Sequence, residues 1–443
     1  MSQKVWVESL GCTKNAVDSE VMLGFLTARG FVPAEEPEQA DLIVVNTCGF
    51  IGPATEESIE TILEMVKLKE SGACKKIVVA GCLYQRYKEK LSEELPEVDA
   101  FIGCRELNMV VEAADDIFEG KKYRSPCVSD FLYDHQTPRA LLNGSGSVYV
   151  KIAEGCDNRC TYCTIPSIRG RYRSRTTDSV LREVRSLLQK GFREINLIAQ
   201  DTTYFRIPEE REECLTTLLR EIDHIRKKKW VRLMYAHPVR ITNAVARAIG
   251  DSRSICHYID MPIQHISDDI LKAMGRAGNS DLIQRAIHIL RAEIPDLALR
   301  TTVMVGFPGE TDKHFAELFE FVREARFARL GVFKYSKEPG TPAAEMRRQV
   351  SARVKEERYE ALMREQMLIS RELNESLVGR QMEVLVEEAD ENDPNILIGR
   401  TYRDAPEVDG VVRISCHERP PLNSFTQVLI TEAHDYDLEG KIL

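Results

Sequence analysis

Long apolar runs are missing from this sequence of 443 residues. No stretch reaches the roughly 18 consecutive apolar residues of a membrane-spanning helix, so we expect no membrane association. The first residues, MSQKVWVESLGC, lack the apolar core and the small-residue cleavage site of a secretory signal, which predicts a cytoplasmic protein. An excess of positive charge is also missing, since the formal net charge is -10. This balance disfavours nucleic acid as the primary partner, although a local basic patch could still bind it.

Twelve cysteines stand out against these absences. In a long chain without a secretory signal they indicate metal ligation rather than disulfide bonds. The densest group is Cys156-x3-Cys160-x2-Cys163, with Tyr162 before the last cysteine. Three thiolates can hold three corners of a cubane iron-sulfur cluster and leave the fourth iron open to a small molecule. The alternative is a structural zinc site, which needs a fourth Cys or His, and none follows at zinc-ribbon spacing.

The first 130 residues alternate strand and helix patterns. Three runs rich in β-branched residues, at 4–10, 41–47 and 76–80, lead into helical patterns such as 18–29 and 55–70, and this order predicts a parallel sheet flanked by helices. Each run ends at a cysteine: Cys12, Cys48 and Cys82. Ligands of open α/β sheets bind beyond the carboxyl ends of the strands, so we expect these thiols to converge on a second three-thiolate site. Burial of small strand-end residues is the alternative.

A linker is predicted over residues 131–147, because the stretch DHQTPRALLNGSGS is rich in Pro, Gly, Ser and Asn. Alternating strand and helix patterns then predict a partial (β/α)6 barrel over residues 148–343, with strands at 148–153, 194–199, 231–236, 257–262, 298–305 and 330–335. Cys156 directly follows the first of these strands, where the active sites of such barrels lie.

The remaining chain changes character twice. A charged helical pattern over residues 344–376 predicts a connecting helix, and short strand patterns within residues 377–443 predict a small antiparallel β-barrel. The predicted fold class is therefore α/β, with an N-terminal parallel-sheet domain over residues 1–130, a partial barrel and a C-terminal β-barrel.

The stretch EGCDNRCTYCTIPSIRGRYRSR at 154–175 resembles the signature of radical S-adenosylmethionine (SAM) enzymes. Together with Cys12, Cys48, Cys82 and a terminal barrel of the TRAM type, essentially the whole chain resembles the methylthiotransferases. The resemblance also includes VGFPGETD at 305–312 and EPGTPAAEM at 338–346.

The resemblance implies two 4Fe-4S clusters with different tasks. Cys156, Cys160 and Cys163 would hold the cluster that binds SAM and yields a 5′-deoxyadenosyl radical. An auxiliary cluster that carries the sulfur to be inserted would be held by Cys12, Cys48 and Cys82. A second SAM would supply the methyl group, and a flavodoxin or ferredoxin is expected as the electron donor. The six cysteines are thus the predicted metal-ligating and catalytic residues, and Tyr162 is a predicted cofactor-binding residue.

Four arginines follow the cluster loop at every second position: Arg169, Arg171, Arg173 and Arg175. A one-sided basic patch there could bind the carboxylate of SAM, RNA phosphate or an acidic substrate residue, and Arg175 is the member predicted to bind a cofactor. A solvated charged turn is the alternative.

Two glycines and two histidines complete the candidate residues. Gly306 and Gly309 follow a predicted strand and could let the backbone approach SAM closely, or they belong to a plain strand-to-helix turn with Thr311 as the helix N-cap. His237 and His265 lie near predicted strand ends and could reach the same pocket, with a core or surface position as the alternative.

Two branches of the methylthiotransferases differ in their substrate: one modifies an adenosine beside the anticodon of tRNA, the other the β-carbon of an aspartate in small-subunit ribosomal protein S-twelve. SLGCTKNAVDSE at 9–20 resembles the ribosomal-protein branch. Residues 377–443 contain six basic and fourteen acidic side chains, which would repel phosphate and suit a basic protein. An acidic surface that serves solubility is the alternative. We therefore predict aspartate methylthiolation on that protein or the small ribosomal subunit, with tRNA modification and a non-catalytic iron-sulfur redox sensor as the alternatives.

Overall fold

The computed structural model describes residues 2–72, 74–142, 146–206, 214–393, 395–416 and 418–443. Two six-stranded sheets, both parallel throughout, and a closed five-stranded barrel organise these residues. Residues 143–145 of the predicted linker lie outside the described part of the chain. Among the residues described, no helix combines the length and the apolar character needed to cross a membrane.

The N-terminal unit alternates strands and helices as the sequence predicts. Its elements are β1 (Lys4–Ser9), α1 (Thr13–Arg29), β2 (Val32–Pro33), β3 (Leu42–Thr47), α2 (Gly52–Glu70), β4 (Lys76–Gly81), α3 (Cys82–Tyr87), α4 (Glu89–Glu94), β5 (Ala100–Gly103), α5 (Val110–Phe118) and β6 (Tyr123–Arg124). The strand order is β2-β1-β3-β4-β5-β6. Every residue of β3 is buried, and its alternate side chains enter two separate cores, because helices cover both faces of the sheet.

The middle unit contains all six strands that the sequence predicts for a partial barrel. Its strands run in chain order across one parallel sheet, β7-β10-β11-β12-β13-β14, while β8 and β9 pair with each other and bring the two ends of the cluster loop together. The elements are β7 (Ser147–Lys151), β8 (Ala153–Glu154), α6 (Ile165–Arg169), β9 (Arg173–Ser174), α7 (Thr177–Gln189), β10 (Glu194–Ile198), α8 (Cys214–Asp223), β11 (Trp230–Leu233), α9 (Asn243–Gly250), β12 (Ile255–Asp260), α10 (Asp268–Ala273), α11 (Ser280–Glu293), β13 (Ala298–Val305), α12 (Asp312–Ala325) and β14 (Arg329–Lys334).

Side-chain caps explain where several of the middle helices begin. The side chains of Thr176, Thr242 and Asn279 accept hydrogen bonds from backbone N–H groups in the first turns of α7, α9 and α11. Such caps satisfy donors that have no partner inside the helix. Each cap therefore sets the residue at which its helix begins.

The C-terminal unit begins with a long helix and ends in the closed barrel. Its elements are α13 (Ala352–Glu375), β15 (Gln381–Ala389), β16 (Ile396–Thr401), β17 (Val412–Ser415), β18 (Ser424–Ala433) and β19 (Leu438–Ile442). The sequence did not predict β19, which closes the barrel by pairing with β17 and β18.

Part of the acidity of this barrel lies inside the molecule. Glu387 pairs with Arg400 at 2.5 Å, and Asp404 accepts a hydrogen bond from Arg329 of the middle unit at 2.6 Å. Asp409 accepts a hydrogen bond from Tyr258 at 2.7 Å. Asp404 and Asp409 dock the barrel onto the middle sheet, whereas Glu387 is neutralised by Arg400 inside the barrel. The sequence count therefore overstates the negative charge of the barrel's outer surface.

Candidate active site between the two parallel sheets

Both cysteine triads line a single cavity of about 490 Å³. The N-terminal unit contributes residues that follow β1, β3 and β4, and the middle unit contributes residues that lie within or after its own strands. Val408 of the C-terminal unit reaches the same cavity. The carboxyl edges of the two parallel sheets therefore face each other, and each edge is where such sheets place their ligands.

Gly11 and the side-chain amide of Asn15 hold the Cys12 loop against the Cys48 loop. Gly11 has φ +88°, and a Cβ atom on it would lie 2.7 Å from the Cβ atom of Cys48, so this position requires glycine. Asn15 Nδ2 donates hydrogen bonds to the carbonyl oxygens of Leu10 at 2.9 Å and Thr47 at 3.0 Å. The strand ends are thereby fixed against each other before any cluster binds.

The loop of Cys156, Cys160 and Cys163 is anchored along its length. The N–H group of Cys156 donates to Gly170 O at 3.1 Å, and that of Thr161 donates to Met274 O at 2.8 Å. Tyr162 packs edge-on against Phe307, with ring centroids 6.4 Å apart. These contacts hold three thiols toward the cavity from one short loop.

Burial changes the acidity of the cavity thiols. It raises the pKa of Cys48 to about 11 and that of Cys163 to about 12. Cys82 differs, because a hydrogen bond with the Cys104 thiol and the neighbouring Arg169 guanidinium lower its pKa. Since a thiol must lose its proton to bind a metal, cluster assembly here releases protons.

Arg169 connects the two cysteine sites. Its guanidinium donates to Asp18 Oδ2 at 2.7 Å, Asn15 Oδ1 at 2.6 Å and Cys82 Sγ at 3.3 Å, all in the N-terminal unit. It also donates to Glu154 Oε2 in the middle unit at 3.2 Å. A cation that is fully buried in this way is stabilised by the carboxylates around it.

The structure does not gather the four arginines into one patch. The Arg171 side chain is 87% exposed and pairs with Asp157 at 3.3 Å, and Arg173 pairs with Asp130. The guanidinium of Arg175 pairs with Glu183 at 2.5 Å and is not among the described groups that line the cavity. Arg169, rather than Arg175, is therefore the member of this series that reaches the site.

Gly306 and Gly309 are likewise absent from the described lining of the cavity. A Cβ atom on Gly306 would lie 2.2 Å from the Lys355 side chain, so this glycine packs against helix α13. The side chain of Thr311 accepts a hydrogen bond from the N–H group of His314. The predicted alternative, a strand-to-helix turn capped by Thr311, is confirmed.

Only one of the two candidate histidines lines the cavity among the described residues. His237 does so, and neither of its ring nitrogens has a hydrogen-bond partner there. Its burial lowers the pKa of His237, so the ring is neutral at pH 7. His265 lies outside the lining, and its Nδ1 accepts a hydrogen bond from Ser267 N at 3.0 Å.

Sequence reasoning missed several polar residues of the cavity. Arg276 donates to Pro262 O and to the Tyr162 hydroxyl, the latter at 3.5 Å. Asp201 follows β10 and accepts hydrogen bonds from Arg240 at 2.6 Å and from Asn158 in the cluster loop at 3.3 Å. A charged residue just after a predicted strand was the available signal for Asp201, whereas nothing local marks Arg276.

The donor set fits iron-sulfur clusters with a small-molecule ligand. Each thiolate of a cubane binds a different iron, so the ligands need not converge on one point. Consistent with this, no three His, Cys, Asp or Glu side chains in the described ranges are arranged to hold a single metal ion. Gln200 Oε1 and the His237 nitrogens are buried polar atoms without a partner among the described residues, and they remain available to a bound molecule.

Three family models match successive parts of the chain. Residues 4–103 match UPF0004, described as an uncharacterized protein family. Residues 150–322 match the radical SAM superfamily, and residues 378–443 match the TRAM domain. The predicted fold class is thereby confirmed.

Curated relatives match along nearly the whole chain. A protein of Carboxydothermus hydrogenoformans, named ribosomal protein uS12 methylthiotransferase RimO, is 48% identical over 99% of both chains. Proteins with the same name are 46% identical in Desulforamulus reducens, over 98% of both chains, and 44% identical in Heliobacterium modesticaldum, over 100% of this chain and 96% of that protein.

Solved structures share the fold. The radical SAM methyltransferase TsrM from Kitasatospora setae has a TM-score of 0.58 at 16% identity, over 86% of this chain and 79% of that one. The cobalamin-dependent SAM radical enzyme OxsB has a TM-score of 0.55 at 14% identity, over 83% of this chain and 56% of that one.

Proposed function

Because the chain belongs to the family of ribosomal protein uS12 methylthiotransferases, we propose that it inserts a methylthio group at the β-carbon of an aspartate in uS12, the protein called S-twelve above. The observation that carries this proposal is the single cavity onto which both cysteine triads open. Membership in the radical SAM superfamily implies a 4Fe-4S cluster and SAM. Once bound, these cofactors supply a radical able to break a C–H bond that acid-base chemistry cannot activate.

We assign one cluster to each triad. Cys156, Cys160 and Cys163 hold the cluster that binds SAM. A second cluster is held by Cys12, Cys48 and Cys82. Support comes from the count of thiols, because three ligands leave one iron of a cubane open at each site. Two open irons that face one cavity match a reaction that needs both a radical source and a sulfur source.

Side chains of the middle unit orient SAM and the cluster loop. Arg276 places a guanidinium beside Tyr162 and can receive the SAM carboxylate. The carboxylate of Asp201 fixes Asn158 between the first two cysteines. His237 remains neutral and offers one donor and one acceptor to bound SAM or substrate. Arg169 keeps the two triads at a fixed separation.

We further propose a domain organisation for the chain. Residues 1–130 form the auxiliary-cluster domain, residues 131–147 a linker, residues 148–343 the SAM domain, residues 344–376 a connecting helix and residues 377–443 the terminal barrel. The three matched models fall within the first, third and last of these ranges. A flavodoxin or ferredoxin supplies electrons, and the reaction takes place in the cytoplasm, where the small ribosomal subunit is found. The names of the relatives favour this function over tRNA modification or redox sensing.

Anaerobic turnover tests the proposal. Reconstituted enzyme is mixed with SAM, a reductant and either uS12 or tRNA, and the products are analysed by mass spectrometry. We expect one methylthio group on an aspartate of uS12 and none on tRNA. The Cys160→Ala variant should form no 5′-deoxyadenosine, whereas Cys12→Ala should still cleave SAM without transferring sulfur. Modification of tRNA with none of uS12 would overturn the substrate assignment.

A further inference from the structure

Most charged groups of the cavity are already paired with a group of opposite charge. Asp201 accepts from Arg240 at 2.6 Å, and Asp260 pairs with Arg300 at 2.9 Å. Arg169 is occupied by carboxylates of both units. These pairs give the cavity a fixed internal framework and leave few charges free for a ligand.

Two cations of the cavity have no carboxylate partner among the described residues, and they lie at different triads. Arg276 contacts Tyr162, in the loop that carries the middle-unit cysteines. Lys14 follows Cys12 by two residues, in the first turn of α1. The cavity thus offers one unpaired positive group beside each proposed cluster.

Lys14 is an unusual lysine, because only 8% of it is exposed. Its Nζ lies 3.0 Å from the centroid of the Tyr235 ring. A buried ammonium is costly without an anion, and a ring quadrupole compensates for only part of the lost hydration. The position therefore suits a negatively charged ligand that arrives from the cavity.

The ring beneath Lys14 is held by a strained backbone. Tyr235 has φ +61°, a left-handed conformation that bulky residues rarely adopt. Its N–H group donates to Asp260 Oδ2 at 3.2 Å, and its hydroxyl lies 3.3 Å from Thr13 Oγ1. Gln264, which follows β12 and also lines the cavity, has φ +70°. Such strain persists where the surroundings enforce it, and it concentrates at ligand sites.

We propose that Lys14 is the residue that binds the side-chain carboxylate of the target aspartate. The inference rests on the proposed function and deepens it by assigning the substrate-recognition residue. The Lys14 ammonium is held in place over the Tyr235 ring and can bind the aspartate carboxylate in one position. The adjacent β-carbon of the aspartate then lies in the cavity between the two triads. Because Lys14 belongs to the same loop as Cys12, the carboxylate is placed beside the triad assigned to sulfur transfer.

The test compares two peptides that carry the target segment of uS12, one with the native aspartate and one with asparagine in its place. Binding to reconstituted enzyme is measured by fluorescence anisotropy. Wild-type enzyme should prefer the aspartate peptide by roughly 30-fold or more, as expected for a desolvated charge pair. Lys14→Met keeps the side-chain length without the charge and should reduce this preference to within about threefold, while Lys14→Arg should restore part of it.

Matched controls separate the possible outcomes. Lys90→Met, an exposed lysine of the same N-terminal unit, should keep the wild-type preference. If Lys14→Met loads less iron, Tyr235→Leu tests the same site from the other sheet, and loss of the preference is again expected. If Lys14→Met keeps the preference for the aspartate peptide but loses affinity for SAM, Lys14 binds the SAM carboxylate instead. That result overturns the proposal.

Different results would refute the proposed function and the assignment of Lys14. If wild-type enzyme neither binds nor modifies uS12, both ideas fall. If wild-type enzyme modifies uS12 and Lys14→Met discriminates aspartate from asparagine as well as wild type does, only the assignment of Lys14 is refuted.

Discussion

Replacing Arg169 with glutamine removes the buried cation that joins the N-terminal unit to the middle unit. The side chain donates to Asp18, Asn15 and Cys82 on one side and to Glu154 on the other. In the variant, Lys151 is the remaining described cation within reach of both carboxylates. Removing one partner of a buried ion pair costs about 3–5 kcal/mol, and because Lys151 remains, we expect a loss near 3 kcal/mol in the free energy of unfolding.

The two tryptophans of the chain allow each unit to be followed separately. Trp6 lies in β1 of the N-terminal unit, and Trp230 lies in β11 of the middle unit. Urea unfolding of the reduced, metal-free protein is recorded by fluorescence in single-tryptophan backgrounds. In Arg169→Gln the Trp6 transition should move to lower urea and separate from the Trp230 transition, because the contact that couples the two units is lost.

Arg171→Gln is the matched control, since this arginine lies two residues further on and is 87% exposed. Exposed ion pairs contribute little, so the change should stay within about 0.5 kcal/mol. If Arg169→Gln shifts the Trp6 transition no more than Arg171→Gln does, Arg169 is not a structural link between the two cysteine sites.

Three further predictions concern other parts of the chain. Burial alone would raise the pKa of Glu194, but two buried arginine partners lower it to about 2. Because this folded-state pKa lies below the unfolded value of about 4.3, the ionised carboxylate stabilises the folded protein by roughly 3 kcal/mol at neutral pH. That stabilisation is lost as the pH falls toward 2. Acid unfolding of Glu194→Gln should therefore show a flatter pH dependence than wild type, and an identical profile would contradict the ion pairs. Gly306→Ala should lower the melting temperature without changing SAM affinity, because its Cβ atom would meet Lys355 at 2.2 Å. A loss of SAM affinity without a loss of stability would show that Gly306 contacts SAM. Cys104→Ala should retain the wild-type iron content by metal analysis, and a loss of iron would make Cys104 a ligand.

Much of the fold was predictable because each unit depends on regular local patterns. The six strands of the middle unit are apolar runs bounded by turn residues, and their order in the sheet follows their order in the chain. The missed strands depend on their neighbours instead. β5 has only four residues, and β19, with the sequence LEGKI, is too polar to indicate a strand until β17 and β18 provide its partners.

The cysteines of the site could be predicted, whereas most of the residues around them could not. Parallel strands share a carboxyl edge, so three strand-end cysteines must lie close together. Arg169 and Arg175 look equivalent in the sequence, but Arg169 ends helix α6 and meets Asp18, which lies 151 positions away. Lys14 acquires its environment from Tyr235 in another unit. Contacts of this kind depend on how two units dock, which local patterns do not encode.

Iron analysis of anaerobically reconstituted protein tests most directly whether the two cysteine triads hold two clusters. Two clusters predict about eight irons per chain in wild type and about four in each of Cys12→Ala and Cys160→Ala. About four irons in wild type, with no further loss in Cys12→Ala, would contradict the second cluster and the sulfur-insertion chemistry that depends on it.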